Sequence, residues 1–306
     1  MPVHRPAVRH FLAGPSLTPA DLSMVLLVRE DDGQPDCPLP TVTVREIPKT
    51  VREMASLGIR SVKIFAGSRM RDDRASQATS PHSLMVRSIK AVKGEEPEVA
   101  VMTETCVCSH TNSGECYLAD GHRVDVAATG EALAAQAVTQ AEAGADIVGP
   151  ASMIPGTIRA VRAALDESGH LDVSIMPHLI FDSSLYEGYR ATMGAAPASE
   201  TRAFQIAPRQ ADQAVRAGLD MVAEGADLLL LEPALFTVDT MIRLREAGCP
   251  APLMPFSVSG EYNRLAPAGE DGTRDVRPLM EALTMLKRSG ADRVITYGAV
   301  EIARVI

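Results

Sequence analysis

Three segments frame what this chain can fold into. Gly144-Ala-Asp-Ile, Gly225-Ala-Asp-Leu and Gly290-Ala-Asp-Arg each end a helical stretch with glycine and open an apolar run. A helix that stops on glycine and hands over to a short buried strand is half of a βα unit. Repeated units of this kind build a parallel sheet, because each helix carries the chain back to the same edge. The alternation runs from end to end. Apolar runs at 24–28, 59–65, 98–103, 146–150, 173–176, 227–231, 253–256 and 293–297 predict strands. Amphipathic stretches at 47–57, 83–93, 129–143, 154–168, 208–224, 238–247 and 275–289 predict helices between them. Eight strands separated by helices point to one closed (β/α)8 TIM barrel over residues 21–306, preceded by a short arm over 1–20. An open doubly wound sheet is the alternative, but no Gly-x-Gly-x-x-Gly turn follows the first strand.

Composition narrows the partners. A chain of 306 residues with 46% hydrophobic content can bury a large core. A formal net charge of -9 argues against nucleic acid and anionic membrane, both of which need a positive surface, and leaves a small molecule as the expected partner. No apolar run approaches the ~18 residues of a membrane span, and His4-Arg-Pro-Ala-Val-Arg-His10 has no signal-peptide core, so a cytoplasmic protein is expected. The five cysteines, odd in number and mostly clustered, suit a reducing compartment, with Cys37 and Cys249 as bystanders.

Cys106, Cys108 and Cys116 follow the third strand within eleven residues of one another. Three thiolates suit a zinc ion that keeps its fourth position open, the mark of a catalytic site; the plain alternative is a chance group of buried thiols. A barrel places chemistry at the carboxyl ends of its strands. There the sequence offers His178 and Asp182 after strand five, Glu232 after strand six, Ser259 and Glu261 after strand seven, and Tyr297 at the end of strand eight. Each alone reads equally well as a core or surface residue; together they converge on one mouth. Long connections at 66–81 and 183–207 are candidate walls or lids. The second holds Tyr186, Tyr189, Arg190 and Arg202, a mixture suited to clamping a carboxylate.

From about Gly58 onward these segments resemble the porphobilinogen synthase (δ-aminolevulinic acid dehydratase) family. The likeness rests on Thr103-Glu-Thr-Cys-Val-Cys-Ser-His-Thr, Ala141-Glu-Ala-Gly-Ala-Asp-Ile-Val-Gly-Pro150, Phe256-Ser-Val-Ser-Gly-Glu-Tyr262 and Lys287-Arg-Ser-Gly-Ala-Asp-Arg-Val-Ile-Thr-Tyr297. The resemblance implies a zinc- or magnesium-dependent barrel whose N-terminal arm embraces a neighbour, and a homo-oligomer of anything from a dimer to the usual octamer. It assigns Cys106, Cys108 and Cys116 to the metal, and Ser259 and Tyr297 to the carboxylate of the substrate nearest it. It gives Arg190 to the other carboxylate, puts Thr201 where a second arginine stands, and leaves Arg202 and Gln205 as further substrate-binding candidates. Glu104 replaces an aspartate, and Ala217 a glutamate that holds an allosteric magnesium in many bacterial members, so no such site is expected.

The family's two imine-forming lysines fall on Phe181 and Glu232. Neither side chain can attack a ketone as an amine does. Of Lys49, Lys63, Lys90, Lys93 and Lys287, only Lys63 lies in a predicted strand. Two readings of different class follow. One is a divergent zinc-dependent lyase, of specialised metabolism, that dehydrates, condenses or cyclises a small amino- or keto-acid without an imine, with Glu232 moving protons aided by His178 or Asp182. Whether Glu232 is base, acid or a fourth metal ligand stays open. The other is an inactive homologue with a regulatory or assembly role; an orthodox porphobilinogen synthase is a third. Retained metal and carboxylate residues favour the first.

Overall fold

The computed structural model describes residues 5–12, 16–30, 39–67, 69–197 and 202–306. Eight parallel strands form its centre: β1 (Leu22–Arg29), β2 (Ser61–Ala66), β3 (Ala100–Thr105), β4 (Ile147–Pro150), β5 in two pieces (Ser174–Ile175 and His178–Ile180), β6 (Leu229–Glu232), β7 (Leu253–Ser257) and β8 (Val294–Thr296). A helix follows each strand: α1 (Ile47–Ser56), α2 (Leu84–Glu95), α3 (Val126–Glu142), α4 (Thr157–Glu167), α5 (Ala211–Ala223), α6 (Val238–Glu246), α7 (Arg277–Arg288) and α8 (Ala299–Ala303). Pairing runs from β5 back through β4, β3, β2 and β1 to β8, β7 and β6, and returns to β5. The ring closes at Met176-Pro177, where the first piece of β5 pairs with β4 and the second with β6. Pro177 has no N–H to donate, but its carbonyl accepts from Leu230 at 3.1 Å, while the Met176 N–H reaches the Val148 carbonyl at 2.8 Å. The fold is the expected (β/α)8 barrel.

The Gly-Ala-Asp repeat has a physical cause. Gly144, Gly225 and Gly290 end α3, α5 and α7 at φ of 104°, 112° and 112°, a left-handed turn that a side chain would strain. Two residues later the aspartate carboxylate accepts a backbone N–H from the first or second residue of the preceding strand. Asp146 takes Val101 N at 2.7 Å, Asp227 takes Ile175 N at 2.8 Å and Asp292 takes Leu253 N at 2.7 Å. Each even-numbered strand is thereby fixed in register against the odd one before it. On the β1–β2 couple a bond of 2.7 Å between the Ser23 and Ser61 hydroxyls occupies the equivalent place.

Alternation within β3 decides what enters the barrel. The Thr103 and Thr105 hydroxyls turn outward to Gln140 Oε1 on α3, both at 2.7 Å, so Met102 and Glu104 point inward. By the same rule Lys63 and Phe65 of β2 face inward together. The expected strand five stopped at residue 176; it resumes through His178–Ile180, which places His178 inside the strand rather than after it. Two further helices, Glu187–Met193 and Ser259–Leu265, lie over the carboxyl end of the barrel. In the expected arm, residues 1–4 and 13–15 lie outside the described residues, as do Cys37 and Thr201, and Pro6–Phe11 is helical. Cys249 is a buried core thiol.

Glu261 departs from its expected place at the mouth. Its carboxylate caps the Ser259–Leu265 helix, accepting from Val258 N at 2.8 Å, Leu235 N at 2.7 Å and Ala234 N at 3.2 Å. Burial lifts the acid to about 7 against the pull of those three donors. Glu261→Ala leaves three N–H groups without an acceptor in a site only 3% exposed. We expect it to lower unfolding free energy by about 2–4 kcal/mol in urea titrations; a loss near zero would show that the cap is dispensable.

Candidate active site

Cys106 and Cys108 sit on the turn after β3, and Cys116 returns to them across the following loop. Their sulfur atoms lie within 4.8 Å of one another. Thiolates held ~2.3 Å from a tetrahedral zinc ion stand about 3.8 Å apart, so the cluster fits such an ion with little adjustment. Arg202 stands beside it. Its guanidinium donates to Cys116 Sγ and Gly114 O, both at 2.9 Å, and to Ala195 O at 2.5 Å. Hydrogen bonds from Cys106 and Cys108, with Arg202 adjacent, hold the Cys116 thiol far below its ordinary range. Three thiolates carry one negative charge more than a divalent cation offsets, and Arg202 supplies the balance. Arg202 therefore anchors the cysteine loop.

Next to the cysteines lies a pocket of roughly 530 Å³, partly continuous with solvent. Glu104, His178, Ile180 and Glu232 come to it from the strand ends, between the aromatic walls of Phe65, Phe256 and Tyr297. The 183–207 connection covers it with Tyr186, Tyr189, Arg190, Arg202 and Gln205. The other long connection, 66–81, secures this cover: Arg71 donates to the Gly194 carbonyl at 2.6 Å and the Met193 carbonyl at 3.0 Å. The 183–207 connection is thus a wall, whereas none of the described residues of 66–81 lines the pocket.

Beneath the pocket a chain of hydrogen bonds crosses the barrel. Lys63 Nζ donates to Thr103 O at 2.7 Å and meets His178 Nε2 at 2.8 Å; His178 Nδ1 meets Glu232 Oε1 at 2.9 Å. Lys63 is 0% exposed. Burial pulls its amine down to about 7, with Glu104 and Glu232 opposing. Burial raises Glu232 to about 8, and Lys63 opposes that shift. Burial together with the charge of Lys63 holds His178 well below the usual imidazole range, so its ring is neutral. With Lys63 as the ammonium, Nε2 accepts from it and Nδ1–H donates to Glu232. Glu104, lifted to about 8 by burial, accepts from the Tyr189 hydroxyl at 3.1 Å.

The remaining expected residues divide. Tyr297, Tyr186 and Gln205 line the pocket, and Tyr297 Oη, Tyr186 Oη and Gln205 Oε1 are buried without a partner, as groups awaiting a ligand would be. Arg190 lines the pocket with its guanidinium 5.5 Å from the Tyr186 ring centre. Ser259 also lines it, but its hydroxyl accepts from Tyr189 N at 3.1 Å and donates to Leu185 O at 2.9 Å, which fastens the cover. Asp182 is not among the lining residues; its backbone N–H binds Ile206 O at 2.8 Å. Phe181 is buried and bridges to Ile206, so the β5 side chain facing the pocket beside Glu232 is Ile180. Glu232 stands outside the sulfur cluster. Sequence reasoning gave little weight to Lys63 and did not single out Phe65, although their inward alternation on one predicted strand was a usable signal.

Residues 3–305 match the family described as Delta-aminolevulinic acid dehydratase. The dehydratase of Methanothermobacter thermautotrophicus is 35% identical over 312 residues, covering 98% of this chain and 94% of that protein. The Escherichia coli K12 enzyme is 34% identical over 305 residues, covering 97% and 94%. The solved structure of the Toxoplasma gondii ME49 dehydratase (porphobilinogen synthase), in complex with its reaction product porphobilinogen, superposes with a TM-score of 0.89 at 28% identity and covers 99% of this chain and 91% of that one. No described helix is long and apolar enough to cross a membrane. Through whole-length sequence match and a shared barrel, this chain belongs to the delta-aminolevulinic acid dehydratase family.

Proposed function

We propose that this chain is a metal-dependent lyase that dehydrates, condenses or cyclises a small amino- or keto-acid by proton transfer at Glu232, without a lysine imine. One observation carries the reading: Ile180 and Glu232 face the pocket, while the barrel's inward lysine, Lys63, is sealed beneath His178. Imine formation needs a neutral amine against the substrate carbonyl, and neither an alkyl chain nor a carboxylate provides one. Glu232 has what acid–base work requires, a proton affinity close to neutral pH and a fixed orientation from His178. Tyr186, Tyr297 and Arg190 offer donors for a substrate carboxylate beneath the cover. Zinc held by Cys106, Cys108 and Cys116 would supply a Lewis acid for a carbonyl or hydroxyl oxygen. The protein is read as a cytoplasmic homo-oligomer.

Protein purified with zinc should carry about one ion per chain and form no porphobilinogen from 5-aminolevulinate, as metal analysis and pyrrole detection would report. Turnover at the rate of the Escherichia coli relative would overturn the non-imine reading.

A further inference from the structure

Lys63 is a buried amine that the proposed chemistry does not yet use, and its surroundings are built for it. Gly149 on β4 lies against it. A Cβ there would stand 2.6 Å from Lys63 Nζ, 3.1 Å from His178 Nε2 and 2.5 Å from Thr103 O, so only glycine leaves room for the contact. The ammonium reaches no solvent, and its bonds to Thr103 O and His178 are short and buried. A charge in such a place is costly unless it is paired. The carboxyl groups that oppose this cost are Glu104 and Glu232, the latter one imidazole away.

We propose that Lys63 is a positioning residue and proton store for Glu232, acting through His178. This rests on the reading of Glu232 as the acid–base group. Suppose that Glu232 gives its proton to a leaving hydroxyl: the C–O bond breaks with its electron pair on oxygen, and water departs. His178 then passes its Nδ1 proton to the carboxylate and takes one from Lys63 at Nε2, leaving the imidazole neutral and the amine uncharged. The proton lost from substrate carbon enters at Glu232 and travels inward along the same bonds. The electron pair of that C–H bond stays with the substrate, and the three side chains end as they began. Groups that act on Glu232 are Lys63 on β2, Glu104 on β3, Cys108 after β3 and Glu261 after β7; Tyr186 and Tyr297 sense its charge, and Glu104 also acts on Lys63.

Lys63→Met, which preserves length and packing, tests the proposal in the full-length protein without any substrate. The infrared band of the protonated Glu232 carboxyl, assigned by its loss in Glu232→Gln, should titrate near 8 in the wild type. Without the lysine charge its midpoint should rise by about one to three units. The ¹⁵N resonances of His178 should report Nδ1–H in the wild type and a mixture of tautomers in Lys63→Met. Gly149→Ala, whose methyl would crowd the Thr103 carbonyl, Lys63 Nζ and His178 Nε2 while all three side chains are retained, should move both signals in the same direction, and thermal melts identify any variant that has not folded. An unchanged midpoint and tautomer in both folded variants would overturn the proposal. So would a borohydride-trapped adduct of 5-aminolevulinate on Lys63, because the amine would then touch substrate. A band that shifts as expected, in a protein that nevertheless makes porphobilinogen at the family rate, would sustain this inference and sink the non-imine reading.

Discussion

Glu232→Lys is expected to turn a pocket that gives no borohydride-trapped adduct with 5-aminolevulinate into one that is trapped in nearly every chain. The position lines the pocket and is only 5% exposed. An amine there would be desolvated and would face the charge of Lys63, and both effects favour its neutral, nucleophilic form. Attack on the ketone releases water and leaves an imine, whose C=N bond accepts hydride from the reagent. Ile180→Lys, on the same lining, should behave alike. Phe181→Lys should not, because that side chain is not among the pocket residues. Mass spectrometry of the peptides reads each case. An adduct on any lysine of the wild type would remove the basis for a proton-transfer mechanism.

Cys116→Ser should weaken zinc binding by on the order of 10²–10³-fold, as competition with a chromophoric chelator would show. A serine hydroxyl does not ionise near neutral pH and cannot replace a thiolate that Arg202 and two neighbouring thiols hold in its charged form. Metal that binds only the folded chain stabilises it by about 2.7 kcal/mol at a hundredfold excess over its dissociation constant. That increment should vanish from thermal melts of Cys116→Ser and from wild type treated with EDTA. Equal zinc affinity in variant and wild type would mean that the three sulfur atoms are not a metal site.

The barrel was legible because its signals are local. Glycine stops and apolar runs depend on neighbours in sequence, and they located all eight strands and the helices between them. The cysteine cluster was equally readable, since two of its members are two residues apart and the third lies on the same loop. Side-chain destinations were less so. Glu261 follows the right strand but is claimed by backbone N–H groups, while Ser259 and Arg202 line the pocket and also bind backbone groups of distant loops; no sequence spacing reveals which carbonyl or N–H will be within reach. Lys63 was the hardest. It is separated from His178 by 115 positions, and its role depends on a missing methyl group at Gly149 across the barrel.

The carboxylates of Asp146, Asp227 and Asp292 tie strands two by two, with the Ser23–Ser61 bond completing the set. The lower rim is thus stitched within four couples, and ion pairs of Lys93 with Asp146 at 2.7 Å and of Lys287 with Asp21 at 3.0 Å link neighbouring couples. Each tie joins two strands at their starts, so the two strands of a couple are expected to open together, and Asp227 holds the first piece of β5 to β6 across the break at Met176-Pro177. The chemistry sits at the opposite rim, so these carboxylates serve the frame and leave the strand ends to the pocket.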